Sequence, residues 1–335
     1  MAKSLITGGA GFIGSHLAEL LKARGDEVVL VDSLSTGRRS NIAHLLDNHC
    51  RIIESSIGEA LTHDPHLLQG VREVYHLAAA VGVRLVVDDP FNMIRNNVEE
   101  TARILDAARQ AGASILITSS SEVYGKAVKI PLREDDDLIL GPTTSSRWSY
   151  ALSKALDEHL ALAHHVKHGL GAVVVRLFNT IGPRQIGRYG MVVPRFVQRA
   201  IEGGELEIYG DGQQTRAFCD VRDVARALAT LLGDPQHHGK IFNVGSDREI
   251  TVSHLAELVI TTAQKLGMGK NASKRLIPYA QAYEPGFEDP RRRVPDLTRI
   301  RSAIGFKPAF TLEQTLAELV SDAASQTKPS PAATT

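Results

Sequence analysis

The sequence predicts an α/β fold, a doubly wound parallel sheet followed by a smaller C-terminal lobe. Three observations carry this reading. Up to about Asn179, short β-branched runs alternate with longer helical patterns, as βαβ units require. The first run leads at once into a glycine-rich turn that opens a helix, and beyond Gly182 the pattern gives way to glycine-rich loops with isolated elements. Taken in order, 4–7 (Ser-Leu-Ile-Thr) is the first strand and 12–24 a helix with one apolar face. The Val-Val-Leu-Val centre of 27–32 makes the second strand, and Ile52-Ile53 centre the third over 51–54. Strand 73–77 precedes a helix over 97–110; strand 114–119 precedes a helix over 149–165; and 172–177, with consecutive valines, is the sixth strand. In the smaller lobe the readable pieces are 203–214, the strand 241–244 and the helix 252–266. The expected units are 1–180, then 181–325 mainly as the smaller lobe, then a Ser/Pro/Thr/Ala-rich tail over 326–335 that reads as disordered.

Composition narrows the function classes. With 335 residues, 43% apolar and 23% charged, disorder over the whole length is excluded. Lys plus Arg equals Asp plus Glu at 38 each, so no global field draws nucleic acid or an anionic membrane, and neither is expected as a partner. The most apolar stretch, 71–87, is broken by Arg72, Glu73, His76 and Arg84, so no span of a membrane is expected. No export signal is read at the start, and Cys50 and Cys219 form no disulfide framework; both point to the cytoplasm. His164, His165 and His168 lack a carboxylate or thiolate partner at ligand spacing, so no metal is expected.

The turn after the first strand reads Thr7-Gly8-Gly9-Ala10-Gly11-Phe12-Ile13-Gly14. Gly8 serves the tight turn, Gly11 lets backbone amides approach a pyrophosphate, and Gly14 lets the helix pack closely on the strand. Asp32 closes the second strand 18 residues after Gly14, where a carboxylate can accept both ribose hydroxyls of an adenosine. That favours NAD, although Arg38 and Arg39 lie close enough in sequence to keep NADP open. Further on, Tyr150 and Lys154 stand four apart on a predicted helix, hence on one face, where an ammonium favours the phenolate needed of a base. The hydroxyls of Ser119-Ser120-Ser121 follow an apolar strand at its carboxyl end, and Ser120 is the candidate to hold a reacting alcohol.

These motifs resemble those of the extended short-chain dehydrogenase/reductase superfamily, in its nucleotide-sugar epimerase, dehydratase and decarboxylase branch. The likeness covers nearly the whole chain. It includes T-G-G-A-G-F-I-G, His76-Leu77-Ala78-Ala79, Asn97, S-S-S-E-V-Y-G, Y-A-L-S-K, Arg176-Leu177-Phe178-Asn179, Gly182-Pro183-Arg184, Tyr209-Gly210-Asp211-Gly212, Thr215-Arg216 and Asp220-Val221-Arg222-Asp223. It implies a Rossmann-type sheet with a substrate-binding lobe. It also implies NAD held by Gly8, Gly11, Phe12, Ile13, Gly14, Asp32, Leu77, Ala78, Ala79, Asn97, Tyr150 and Lys154, with Tyr150 as the base and Lys154 lowering its pKa. Ser55-Ser56-Ile57 departs from the Gly-Asp-hydrophobic usual in relatives, so adenine recognition is expected to be weaker or to use Ser56 beside Ile57. Ser121, Asn179 and Arg216 are implied substrate contacts, the last two on the nucleoside diphosphate of a UDP-sugar. Relatives dimerise through two helices, here 97–110 and 149–165.

The shared first step is oxidation of sugar C4, and the fate of the 4-keto sugar distinguishes the enzymes. Ser121 replaces the Asp of the dehydratase pattern, which disfavours loss of water. Arg188 lies in a loop resembling the carboxylate-binding loop of UDP-glucuronate 4-epimerases. Glu122, Arg293 and the Arg147-Trp148-Ser149-Tyr150 segment resemble UDP-glucuronate decarboxylases instead. A UDP-sugar 4-epimerase acting on UDP-glucuronate or UDP-glucose is the first reading, and a UDP-glucuronate decarboxylase yielding UDP-xylose or a UDP-4-keto-pentose the second. A non-catalytic NAD-sensing protein is disfavoured, since it would be free to lose Tyr150, Lys154 and the serines.

Overall fold

The computed structural model describes residues 2–80, 89–187, 191–282 and 290–327. Its strands are β1 (Lys3–Thr7), β2 (Glu27–Val31), β3 (Cys50–Ile53), β4 (Glu73–His76), β5 (Ser114–Ser120), β6 (Ala172–Leu177), β7 (Thr180–Ile181), β8 (Glu205–Tyr209), β9 (Thr215–Ala217), β10 (Cys219–Asp220), β11 (Lys240–Val244), β12 (Glu249–Thr251), β13 (Ser273–Ile277) and β14 (Arg292–Arg293). The helices are α1 (Phe12–Ala23), α2 (Ile57–His63), α3 (Pro90–Ala111), α4 (Ser149–His168), α5 (Val192–Ile201), α6 (Val221–Gly233), α7 (Val252–Lys265), α8 (Tyr279–Ala282), α9 (Thr298–Ile304) and α10 (Leu312–Thr327).

Seven strands form one parallel sheet in the order β11-β6-β5-β4-β1-β2-β3. Alternation along each strand decides which layer it feeds. Ile6, Val28 and Leu30 pack with Leu17 and Leu21 of α1, Leu228 of α6 and Ile300 of α9. Their neighbours Leu5, Val29 and Val31 pack on the opposite face with Ile57 of α2, Ile104 and Leu105 of α3 and Ala161 of α4. Each fully buried aliphatic side chain contributes about 1.5–3 kcal/mol, so both layers are held by the same runs that made the strands legible. β1 has β2 on one side and β4 on the other, bringing Thr7 level with Val31 and His76. This reversal of strand order opens a crevice at the carboxyl ends of the strands.

A second core joins α5, α7, α10 and β8 through Phe196, Leu255, Leu316 and Ile208. Three small sheets, β12-β9-β14, β13-β8 and β10-β7, lie in this part of the chain. The sequence reading put 241–244 in this lobe. In the structure β11 instead closes the edge of the large sheet beside β6, because Phe242 and Val244 belong to its core. The helices α6 and α9 likewise pack on the large sheet, so the chain returns to it after residue 180. The helix predicted over 97–110 starts earlier, at Pro90, where Asp89 caps it and proline suits the first turn; Gly112 in a left-handed conformation ends it. The last helix runs to Thr327, into the stretch read as tail, and 328–335 lie outside the described residues. Among the described residues, no helix is long and apolar enough to cross a membrane, and no group of three or more His, Cys, Asp or Glu could hold a metal ion.

Candidate active site

The turn between β1 and α1 is shaped by backbone. Gly8 has φ of +70°, which glycine adopts without strain, and its amide donates to the Val31 carbonyl at 2.8 Å. A Cβ on Gly14 would lie 2.1 Å from the Gly8 carbonyl oxygen, so only glycine lets α1 begin this close to β1. No side chain caps that helix start, which leaves its first amides facing the cleft as donors for an anion. Asp32, buried at the end of β2, is fixed by the amides of Ala10 at 2.9 Å and Leu34 at 2.8 Å.

The far wall of this turn is tied down by polar contacts. Thr7 accepts from the Ala78 amide at 3.1 Å, and Asn97 accepts from Ala80 at 2.8 Å. His76 bridges Thr7 at 2.7 Å and Thr101 at 3.1 Å; burial, then the charge of Lys154, holds its pKa down at about 3, so it is a neutral structural link. Ser56 is the cap of α2: its hydroxyl accepts from the Glu59 amide at 3.2 Å while Glu59 reaches back to the Ser56 amide. A glycine cradle, open helix amides and a fixed carboxylate at the second strand end together fit a dinucleotide.

The chemistry-bearing groups gather beyond β5. Ser120 ends that strand, accepts from the Glu122 amide at 3.2 Å and hydrogen-bonds the Tyr150 phenol. Tyr150 and Lys154 lie one turn apart on α4 and both line the cleft. Burial pushes the phenol above its usual range, the charge of Glu122 adds to this, and the Ser120 hydrogen bond acts the other way. The sequence reading has Lys154 lowering that phenol. In the structure its ammonium, itself buried, donates to Asp157 at 2.9 Å, and burial prevails.

Glu122 follows Ser120 in the turn after β5 and also lines the cleft. It is held by Arg147 at 2.6 Å and by Arg293. Burial opposes its ionisation, yet the two guanidiniums keep its pKa down at about 2. Pairing of β14 with β9 sets Arg293 level with Arg216, whose guanidinium donates to the Thr215 carbonyl at 2.8 Å and the Pro290 carbonyl at 2.9 Å. Asn179 donates to the Ala217 carbonyl at 3.2 Å.

One cleft of about 1040 Å³ runs from Gly8, Gly11, Phe12, Ile13 and Gly14 past Asp32, Ser56, Ile57 and Leu77 to Ala79 and Asn97. It continues to Ser120, Ser121, Glu122, Tyr150, Lys154, Asn179, Arg216 and Arg293. Arg188 lies outside the described residues. The sequence reading missed Arg195, which also lines the cleft and stacks 4.4 Å from the Tyr209 ring centre. It also missed Arg147 as a partner of Glu122, and Asp157. A lysine and a carboxylate three apart on a helix was a readable signal for Asp157; nothing local pointed to the other two.

Comparison with known proteins agrees with this geometry. Residues 4–245 match the model of the NAD dependent epimerase/dehydratase family. A UDP-N-acetyl-alpha-D-glucosaminuronate decarboxylase of Bacillus cytotoxicus is 37% identical over 321 residues, covering 95% of this chain and 96% of the relative. UDP-glucuronic acid decarboxylase 1 of Arabidopsis thaliana is 35% identical, covering 95% of this chain and 69% of the relative. Among solved structures, a UDP-glucuronic acid 4-epimerase variant from Bacillus cereus, in complex with a fluorinated UDP-glucuronic acid analogue and NAD, superimposes with a TM-score of 0.83 at 28% identity, covering 97% of this chain and 99% of that one. The chain belongs to the NAD-dependent epimerase/dehydratase family and is an enzyme that uses NAD.

Proposed function

We propose that the protein is a UDP-hexuronate decarboxylase, acting on UDP-glucuronate or its 2-acetamido counterpart. The observation that carries this reading is the ion-pair cluster Arg147–Glu122–Arg293 on the substrate side of the cleft. It gathers the residues that resemble the decarboxylases, and the decarboxylases of Bacillus cytotoxicus and Arabidopsis thaliana support it. The 4-epimerase reading, ranked first from sequence, rested on Arg188 and takes second place.

Bound in the glycine cradle, NAD supplies the acceptor for the hydride leaving sugar C4. Tyr150, as the phenolate that the positive charges of bound NAD and of Lys154 would favour, takes the proton of the C4 hydroxyl, and Ser120 holds that hydroxyl in reach. Asn179 and Arg216 grip the diphosphate, a guanidinium being suited to bridging phosphate oxygens. Once C4 is a ketone, the C6 carboxylate is β to it. The C5–C6 bond can then break with release of CO2, its electron pair passing into an enolate that takes a proton at C5. The arginines beside Glu122 put positive charge where the carboxylate enters.

The test is incubation with UDP-glucuronate, or with UDP-N-acetylglucosaminuronate, and NAD. Release of CO2 is expected, with a UDP-4-keto-pentose as product, or a UDP-pentose where the hydride is returned to C4. A UDP-galacturonate-type product without CO2 would instead establish the epimerase. We also infer a homodimer through α3 and α4, which pack on each other and leave Phe91, Ile94, Leu152 and Leu156 exposed. Light scattering that found single 36.3 kDa chains would overturn it.

A further inference from the structure

Lys154, one turn from the proposed base, belongs to a buried ion pair whose other member has no role so far. Asp157 lies one turn beyond Lys154 on α4, fully enclosed, and its Oδ2 accepts from the Lys154 Nζ at 2.9 Å. The two side chains are 3% and 1% exposed, so water does not screen their attraction. Ionised, the carboxylate cancels the charge that Lys154 would otherwise present to the phenol one turn away. We propose that Asp157 is a positioning residue of the catalytic pair, anchoring the Lys154 ammonium toward the core and setting how much of its positive charge reaches Tyr150. This rests on the reading of Tyr150 as the base.

The surroundings leave Asp157 well placed for that role. From β4, His76 faces Lys154 but is neutral, so it neither adds to nor offsets the pair. From α3, Thr101 approaches Asp157 and Asn97 is engaged with Ala80 and Ser153. On α4 itself, Glu158 is turned to Arg176 of β6 in a doubly hydrogen-bonded pair at 2.9 and 2.8 Å, with Ser119 at its Oε1. Glu122, beyond Ser120, is held by its two arginines. Asp157 is therefore the carboxylate in direct contact with the Lys154 ammonium. Burial raises its own pKa, and the charge and hydrogen bond of Lys154 oppose this. In the free protein this arrangement keeps the phenol protonated, consistent with the upward displacement of Tyr150, to which the charge of Asp157 adds.

The experiment compares apoprotein with Asp157→Asn, which preserves volume and removes the charge. Tyrosinate absorbance is followed through an alkaline titration, and the same titration of Tyr150→Phe is subtracted to isolate one of the seven tyrosines. Tyr150 should titrate at a pH lower by about one unit or more in Asp157→Asn, because the carboxylate whose charge raises the phenol is removed. The pH at which half-maximal kcat is reached should fall in step, with KM for the sugar nucleotide little changed. An unmoved Tyr150 titration in a folded variant would overturn the proposal, leaving Asp157 a passive counter-ion. If Asp157→Asn does not fold, Asp157→Ala makes the same electrostatic test. A shifted titration in a protein that turns over no UDP-hexuronate would refute the function reading and keep this one.

Discussion

The two walls of the cleft hold their ligand-facing groups by opposite means. The wall proposed for the dinucleotide is made of backbone: a left-handed Gly8, an uncapped helix start and a carboxylate fixed by two amides, all within residues 7–34. The wall proposed for the substrate is made of charged side chains brought from far apart, Glu122 and Arg293 being 171 positions distant in sequence. Backbone geometry is set by short-range sterics and tolerates almost no substitution. A charge cluster depends on the folding of both halves and answers to pH.

The sharpest way to break the first wall is Gly14→Ala. Its Cβ would meet the Gly8 carbonyl at 2.1 Å, and a backbone atom cannot swing aside as a side chain can. Overpacking at such a contact costs on the order of 1–3 kcal/mol of folding stability, and the turn must shift to relieve it, which moves the amides that would face the pyrophosphate. Calorimetric titration with NAD should show a clear loss of affinity, and an unchanged Kd would mean that the cradle is not the cofactor site.

The same contrast explains what could be read in advance. The sheet, its first six strands and the glycine turn were legible, because alternating valines and a strand-turn-helix spacing are local signals. The seventh strand was misplaced, since Lys240–Val244 looks the same whether it closes a large sheet or a small one; only its pairing with β6 decides. Tyr150 and Lys154 were found from their spacing, but the direction of the Tyr150 pKa was not. It depends on burial and on Glu122, and neither is encoded in the interval between a tyrosine and a lysine. The Arg147–Glu122–Arg293 cluster shows the same limit: each member was visible as a residue, while their meeting is a product of the β14–β9 register and of the turn before α4.

The second wall can be probed by pH. Folding lowers the Glu122 pKa from 4.5 to about 2, because Arg293 and Arg147 outweigh burial. The folded state therefore binds this proton less readily than the unfolded chain. The resulting stability is fully present above about pH 4.5 and is lost as pH falls toward 2. With the side chain 22% exposed, some screening applies, and the contribution is on the order of 2–3 kcal/mol. In Glu122→Gln this titration is absent, so urea unfolding near neutral pH should find the variant less stable than wild type by about that amount. The gap should narrow steadily below about pH 4.5 as the wild-type carboxylate takes up its proton. A gap that stayed constant down to about pH 2 would mean that the arginines do not hold Glu122 ionised. Gly14→Ala should show no such pH dependence, since its defect is steric, and running the two variants side by side separates a wall built on sterics from one built on charge.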